Sequence, residues 1–333
     1  MLYVGVDAHK DESVITVMDE KGEILRQKRV ESTRQGVREV LGRYRRPLKA
    51  VVEASYNWGS MYDWLAEVTE EVVLAHPLKV RAIAEARIKT DKIDSKILAH
   101  LLRADLIPEA YAPPKDIRAV KRVLRQRLFF VRLQTMVKNR ITALLAQHSI
   151  ARPAVSDLYG KAGMGWLRQL VLPEPDGSIL GEALELLTVL QKRIGATEGL
   201  LRDLSKGDQA VSWLRSLPGI GPFFSVLIRY EVDNIERFAQ AKKFAAYTGL
   251  VPSTYASGNR MYHGRLTKQG NKWLRWALVE AVTPAMKVSP WLRSYYQRIK
   301  VRKGAKDARV ATARKLAELI WSVWTEKRYY EER

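Results

Sequence analysis

The sequence predicts an α/β domain at the front of the chain and a longer all-α part behind it, and three observations predict this. Residues 2 to 31, LYVGVDAHKDESVITVMDEKGEILRQKRVE, hold three short runs of alternating or β-branched apolar residues, parted by AHKDE and DEKG, whose Asp and Gly suit tight turns. Between residues 33 and 77 helix-like and strand-like patterns alternate. From about residue 91 onward the apolar residues recur every three or four positions, which is the period of a helix face.

Element by element, the first three runs form a meander of antiparallel strands. Residues 33 to 46 read as a helix, LKAVVEAS (48 to 55) as a buried strand and 58 to 67 as a second helix. EVVLAHP (71 to 77) reads as a short strand stopped by Pro77, and a further helix starts near residue 91. Three antiparallel strands followed by helix, strand, helix, strand and helix is the element order of a ribonuclease-H-like α/β domain. Pro113 and Pro114 then divide this domain (1–112) from a helical coiled-coil and assembly region (113–205) and a mainly helical C-terminal domain (206–333).

Composition narrows the partner. With 57 Lys plus Arg against 36 Asp plus Glu, the formal charge is +21 in 333 residues, so the chain attracts polyanions, and nucleic acid leads among them. A hydrophobic content of 47% supports folded domains rather than a disordered basic tail. No apolar run approaches the roughly 20 residues of a membrane span, and MLYVGVDAHK reads as a strand rather than a signal peptide. We therefore expect no membrane and a cytoplasmic, nucleoid-associated location. With no cysteine, disulfides and thiolate chemistry are excluded, and any metal must be held by oxygen ligands or by the five histidines.

In such a basic chain the carboxylates fall at particular places. Asp7 closes the first strand and Glu53 the fourth, while Asp91 and Asp94 occupy the first turn of the helix in RIKTDKIDSKILAHLL, where side chains at i and i+3 lie about 5–6 Å apart. Taken singly, Asp91 suits a helix start facing the dipole and Asp94 suits pairing with Lys92 or Lys96. A carboxylate closing a buried run such as AVVEA needs a partner, and the coincidence of strand-end acids with a helical pair favours a shared site. Four converging carboxylates repel one another unless neutralised. Two Mg²⁺ ions about 3.5–4 Å apart are the usual solution for phosphodiester chemistry.

Further along, PPKDIRAVKRVLRQRLFFVRLQTMVKNRITALLAQHSI places Ile117, Val120, Leu124, Leu128 and Val131 on one stripe. Arg118, Arg122, Arg125, Arg132, Lys138 and Arg140 occupy much of the rest. This fits a dimerising coiled coil with a basic flank, or a helical hairpin with residues 182 to 205. In LRSLPGIGPFFSVLIRY, Gly219 and Gly221 suit either a tight turn between two helices or a helix-hairpin-helix-like corner whose following helix presents backbone N–H groups to phosphate. In YTGLVPSTYASGNRMYHGRLTKQGNKWLRWALVEA, Ser257 sits before Gly258 in an expected loop, followed by Arg260, His263, Arg265, Lys268 and Lys272. On local grounds such a serine is a turn residue, although cationic neighbours help a hydroxyl to attack phosphorus.

VGVDAHKD, VVEAS and KTDKIDSKILAHLL resemble the N-terminal half of the DEDD transposases of insertion sequences, a family that includes bridge-RNA-guided recombinases and a pilin-gene DNA invertase. YASGN with GRLTKQGNKWLR resembles the same family's C-terminal half, where the serine lies in a YSSGG type of context. The resemblance implies that Asp7, Glu53, Asp91 and Asp94 are the metal-binding carboxylates of a RuvC-like domain. It also implies that Ser257 attacks DNA to form a covalent serine-DNA link, with Mg²⁺ assisting. Ala256 replaces the first serine of the family's pair and Asn259 its second glycine, which leaves Ser257 as nucleophile and Ser253 as fallback. Gly219, Gly221, Arg260, Arg265, Lys268 and Lys272 are the expected nucleic-acid contacts. The implied partners are double-stranded DNA at the element ends and target, a guide (bridge) RNA, and further copies of the chain in a homodimer or homotetramer with a composite site. Three alternatives stay open: a RuvC-like structure-specific nuclease that uses water, a non-catalytic nucleic-acid-binding protein, and a DNA invertase of the same family.

Overall fold

The computed structural model describes residues 1–45, 47–84, 90–257, 260–266 and 269–332, with only the backbone of 254–257, 260–263 and 265. The chain divides into two units, Met1–Ala112 and Pro113–Arg333, and each is described by itself. Among the described residues no helix is long and apolar enough to cross a membrane.

In the first unit, β1 (Leu2–Ala8), β2 (Glu12–Met18) and β3 (Ile24–Glu31) pair as an antiparallel meander. The second turn is closed by Asp19, whose carboxylate accepts from the N–H groups of Lys21 and Glu23 at 2.9 Å. Thr33 caps α1 (Arg34–Leu41) through its hydroxyl. β4 (Leu48–Glu53) then lies parallel to β1 and, after α2 (Trp58–Leu65), β5 (Glu71–Ala75) lies parallel to β4. The sheet order is β3-β2-β1-β4-β5, which puts β1 at the centre. This mixed α/β sheet has the element order expected, with one addition. Pro77 opens a short helix, α3 (Pro77–Ile83), at whose first position a missing N–H costs nothing.

The two faces of the sheet follow the two-residue period of its strands. Leu2, Val4, Val6 and Ala8 point to one side and pack on Val37, Val40 and Leu41 of α1 and on Met61 and Leu65 of α2. Tyr3, Val51, Val73 and Ala75 point to the other side and pack on Leu98, Leu101 and Leu102 of α4 (Asp91–Arg103).

The position of α4 depends on one row of the sheet, in which Gln27 pairs with Thr16 and Thr16 with Gly5. A Cβ on Gly5 would lie 2.0 Å from the carbonyl oxygen of Ser95 and 2.6 Å from the nitrogen of Ala99, so only glycine lets the helix come this close. Beside that contact, the hydroxyls of Thr16 and Ser95, both buried, share a 2.8 Å hydrogen bond. Gln27 donates from its amide to Thr16 Oγ1 and to the Lys92 carbonyl, both at 2.9 Å.

The second unit is mainly helical. α5 (Lys115–Gln147) and α7 (Asp176–Leu204) run antiparallel, with α6 (Lys161–Gln169) at their far end. One core there joins Ile141, Leu144 and Leu145 to Met164, Leu167, Leu180, Leu184 and Leu187. At the other end Ile117, Val120, Leu124, Leu128 and Leu201 enter a larger core. That core also takes in α8 (Gln209–Arg215), α9 (Pro222–Val232), α10 (Ala241–Tyr247), α11 (Lys272–Val288) and α12 (Pro290–Thr325), the last broken at Gly304. The stripe expected to form a dimer seam is therefore buried within its own chain from Ile117 to Leu128. The hairpin alternative describes it, because α7 supplies the partner face. Between α10 and α11 stand β6 (Pro252–Ser257) and β7 (Arg260–Leu266), an antiparallel pair that helical periodicity did not lead us to expect.

Replacing Gly5 by Ala should lower stability by about 1–3 kcal/mol or more, since neither the Ser95 carbonyl nor the Ala99 nitrogen can step aside without moving α4. Thermal unfolding of the full chain checks this, and Ala8→Gly on the opposite face controls for backbone effects.

Candidate active site

Two residues beyond the Gly5 row, the same face of the sheet presents another row. Arg29 pairs with Val14 and Val14 with Asp7, and the register that pairs Val6 with Val52 sets Glu53 one step further on, beside Asp7. Asp7 and Glu53, from adjacent parallel strands, thus face the side on which α4 lies. Thr90 caps α4 by accepting from the Ile93 N–H, and this makes Asp91 the first residue of the helix and puts Asp94 one turn along.

Three side chains close on one another within 4.8 Å: Asp7, His9 and Asp91. His9 Nε2 lies 3.1 Å from Asp7 Oδ2 and 3.4 Å from Asp91 Oδ1. The backbone of His9 is fixed in turn, its carbonyl accepting from Asn57 Nδ2 at 2.7 Å and from Ser32 Oγ at 2.8 Å. Arg29 donates to Asp91 Oδ2 at 2.6 Å and to Glu12 Oε2 at 2.8 Å. Glu53 and Asp94 stand outside the 4.8 Å group, although the charge of Asp94 is felt at Asp7.

The electrostatics differ between the two central acids. Burial pushes the Asp7 carboxyl above the ordinary range, the negative charges of Asp94 and Asp91 add to the rise, and His9 opposes it. Partial burial also acts upward on Asp91, but the Arg29 hydrogen bond and the nearby His9 and Arg29 charges outweigh it and hold this carboxyl below its usual value. An acid with its charged form disfavoured, next to an ionised one and an imidazole, is a donor set suited to a divalent cation. Asp7 and Asp91 fit such an ion on chemistry and spacing. His9, Arg29 and Glu12 were not among the expected residues, but the D-x-H spacing carried a signal for His9, which stands just past the end of β1, two residues from Asp7.

In the second unit, Ser257 ends β6 opposite Arg260 in a strand pair, not in the loop expected, because the backbone pairing from Pro252 to Leu266 continues to that point. The side chains of Ser257, Arg260 and Arg265 lie outside the described residues, as does all of Lys268. Ser253 lies near the start of β6, and Lys272 is exposed at the start of α11. Gly219 has φ +80°, and a Cβ there would sit 2.4 Å from the Ala281 carbonyl, so this glycine is required by packing against α11. Gly221 precedes α9, and no side chain caps that helix.

The foot of the strand pair is anchored. Asn271 caps α11 with its side-chain oxygen, donates its N–H to the Tyr247 carbonyl at 2.8 Å, and donates from Nδ2 to Glu231 Oε2 at 2.8 Å. Glu231 is 2% exposed and also bonds Arg125, whose guanidinium lies 4.2 Å over the Trp273 ring. Burial holds the amine of Lys121 below its usual value despite the nearby Glu231.

The first unit's fold and its acid cluster define a mixed α/β domain that presents carboxylates able to hold a divalent ion. Residues 4–150 match the DEDD transposase family model, and residues 211–297 match that of the transposase IS116/IS110/IS902 family. Similar proteins include a probable family 20 transposase of Pseudomonas aeruginosa, 26% identical over 86% of this chain and 87% of that one. The transposase for insertion sequence element IS1111A of Coxiella burnetii is 26% identical over 98% and 90%, and that for IS1328 of Yersinia enterocolitica is 23% identical over 97% and 96%. The chain belongs to the IS116/IS110/IS902 family of transposases, enzymes that act on DNA.

Two outcomes follow from this geometry. Folding raises the Asp7 pKa, so the folded chain holds that proton more tightly, and the carboxylate subtracts stability once the pH passes the ordinary value of about 3.9. In chelator, Asp7→Asn should therefore raise the melting temperature at about pH 7, and by less near pH 4. Glu231→Ala leaves two half-buried cations without their buried acid and should cost about 3 kcal/mol, read by thermal unfolding.

Proposed function

We propose that this transposase cuts and rejoins DNA by transesterification, excising and inserting its element through a covalent serine-DNA intermediate. What supports the reading is the approach of Asp91, at the start of α4, to Asp7 on β1, with Glu53 next to Asp7 in the sheet row and Asp94 one turn further along α4. Asp7, Glu53, Asp91 and Asp94 would hold Mg²⁺, two ions per composite site, and the bound cation supplies Lewis-acid polarisation of the phosphodiester. His9 and Arg29 hold the acids in place. His9 bridges Asp7 and Asp91 and fixes their separation, while Arg29 keeps Asp91 ionised.

Ser257 attacks phosphorus with its hydroxyl oxygen, loses its proton to a base, and releases a deoxyribose hydroxyl that takes a proton. One phosphodiester is exchanged for another, so strand rejoining needs no outside energy. A free hydroxyl of a second strand then displaces the serine. The acids and the serine serve the same phosphodiester in a homodimer or homotetramer. Arg260, Arg265, Lys268 and Lys272 contact its phosphates, with Gly219 and Gly221 at a further backbone contact of helix-hairpin-helix type. A bridge RNA supplies target choice, and the exposed Arg122, Arg132 and Arg140 of α5 offer it a cationic track.

Element-end DNA incubated with the full chain and Mg²⁺ should give a protein-DNA adduct that resists denaturant, maps to Ser257 and is absent in Ser257→Ala and in Asp7→Asn. Cleavage that persists in Ser257→Ala without any adduct would instead identify a metal-dependent nuclease that uses water. Excess Mg²⁺ should also raise the melting temperature of the wild type by a few degrees while leaving Asp7→Asn nearly unmoved.

A further inference from the structure

A cleft of about 690 Å³ opens where the start of α9 meets α11, within the roughly 300–1,000 Å³ of ligand sites. Its lining is aromatic, with Phe223, Phe224 and Trp276 joined by Arg127, Glu280 and Pro284. All three rings are half-buried, so they keep surface for a further partner. Phe224 and Trp276 meet edge to face with centroids 5.4 Å apart, and the Arg127 guanidinium lies 3.9 Å over Phe223.

The charges decide which part of a nucleic acid this cleft suits. Arg127 is already paired with Glu198, through contacts of 3.0 and 2.7 Å, and Glu280 brings an exposed carboxylate. That balance favours an uncharged base over a phosphate beside the aromatic rings. A second cavity of about 610 Å³ shares Pro222 and Phe223 with the first and is bordered by the exposed Arg202 and Arg215. Aromatic rings on one side of Phe223 and arginines on the other form the pairing of stacking platform and cationic track that unpaired strands use.

We propose that the cleft accepts a base from an unpaired DNA strand, stacked against Phe223 and Trp276, with the adjoining phosphates running past Arg202 and Arg215. Glu280 then accepts a hydrogen bond from the exocyclic amino group of cytosine or adenine, which thymine lacks. The inference rests on the chain's action on DNA and is independent of the serine and of the metal. Gly219 and Gly221 line the same cleft, so a phosphate at their backbone and a base on the aromatic rings occupy neighbouring parts of it.

The test uses the full chain and short single-stranded DNA carrying a fluorescent adenine analogue at successive positions, in chelator so that no cutting occurs. Quenching of the analogue is expected at one position, with binding weakened about tenfold or more in Phe223→Leu and Trp276→Leu. The same variants should bind the matching duplex as the wild type does, which controls for their fold. Oligo-dC should bind more tightly than oligo-dT, and the preference should vanish in Glu280→Gln. Uniform or absent quenching overturns the proposal, as does equal weakening for duplex and single strand. Tighter binding and stronger quenching with RNA of the same sequence would assign the cleft to RNA and overturn the DNA assignment. Loss of the serine-DNA adduct is a separate readout, so failure here leaves the transposition chemistry standing.

Discussion

The whole front unit depends on how closely α4 can approach the central strand. A helix packed on a sheet normally rides on side chains, but the missing Cβ of Gly5 lets the backbone of α4 rest directly on β1. The buried Thr16–Ser95 bond and the Gln27 amide then fix its rotation and slide. Because strand side chains repeat every two residues, the row after Gly5 on that face is the one that carries Asp7. The seat of the helix and the place where its first-turn acids arrive are thus one geometric fact seen at two positions along the strand.

Charge is handled differently in the two units. At the acid row, Asp7 is left with its ionised form disfavoured by burial and by the neighbouring Asp94 and Asp91, a cost found at functional sites. Around Glu231 the account is closed within the chain, as Arg125, Lys121 and Asn271 surround one buried carboxylate. The first arrangement costs the fold stability. The second gives α11 and the foot of the β6 and β7 pair a defined position.

Much of this was legible in the sequence, and the rest failed for identifiable reasons. The meander, the two parallel strands and the acidic helix start were readable because each has a strong local pattern of apolar alternation, turn residues or first-turn acids. Arg29 was not, since its place beside Asp91 depends on the register of two strand pairings, information no local window contains. The strand from Pro252 to Ser257 was hidden by its Pro, Ser and Thr content, which reads as loop, and by helical patterns on either side. The stripe on α5 was correctly apolar, but a single helix pattern does not say whether the covering face comes from another molecule or from residue 201 of the same one.

The pairing of α5 with α7 has a mechanical consequence. A continuous helix of 33 residues spans about 50 Å, and this one is held by a core at each end. Over such a length a tilt of one degree at the base displaces the tip by about 1 Å. A force applied at the far core therefore acts with a long lever arm on the core from which the strand pair β6 and β7 emerges.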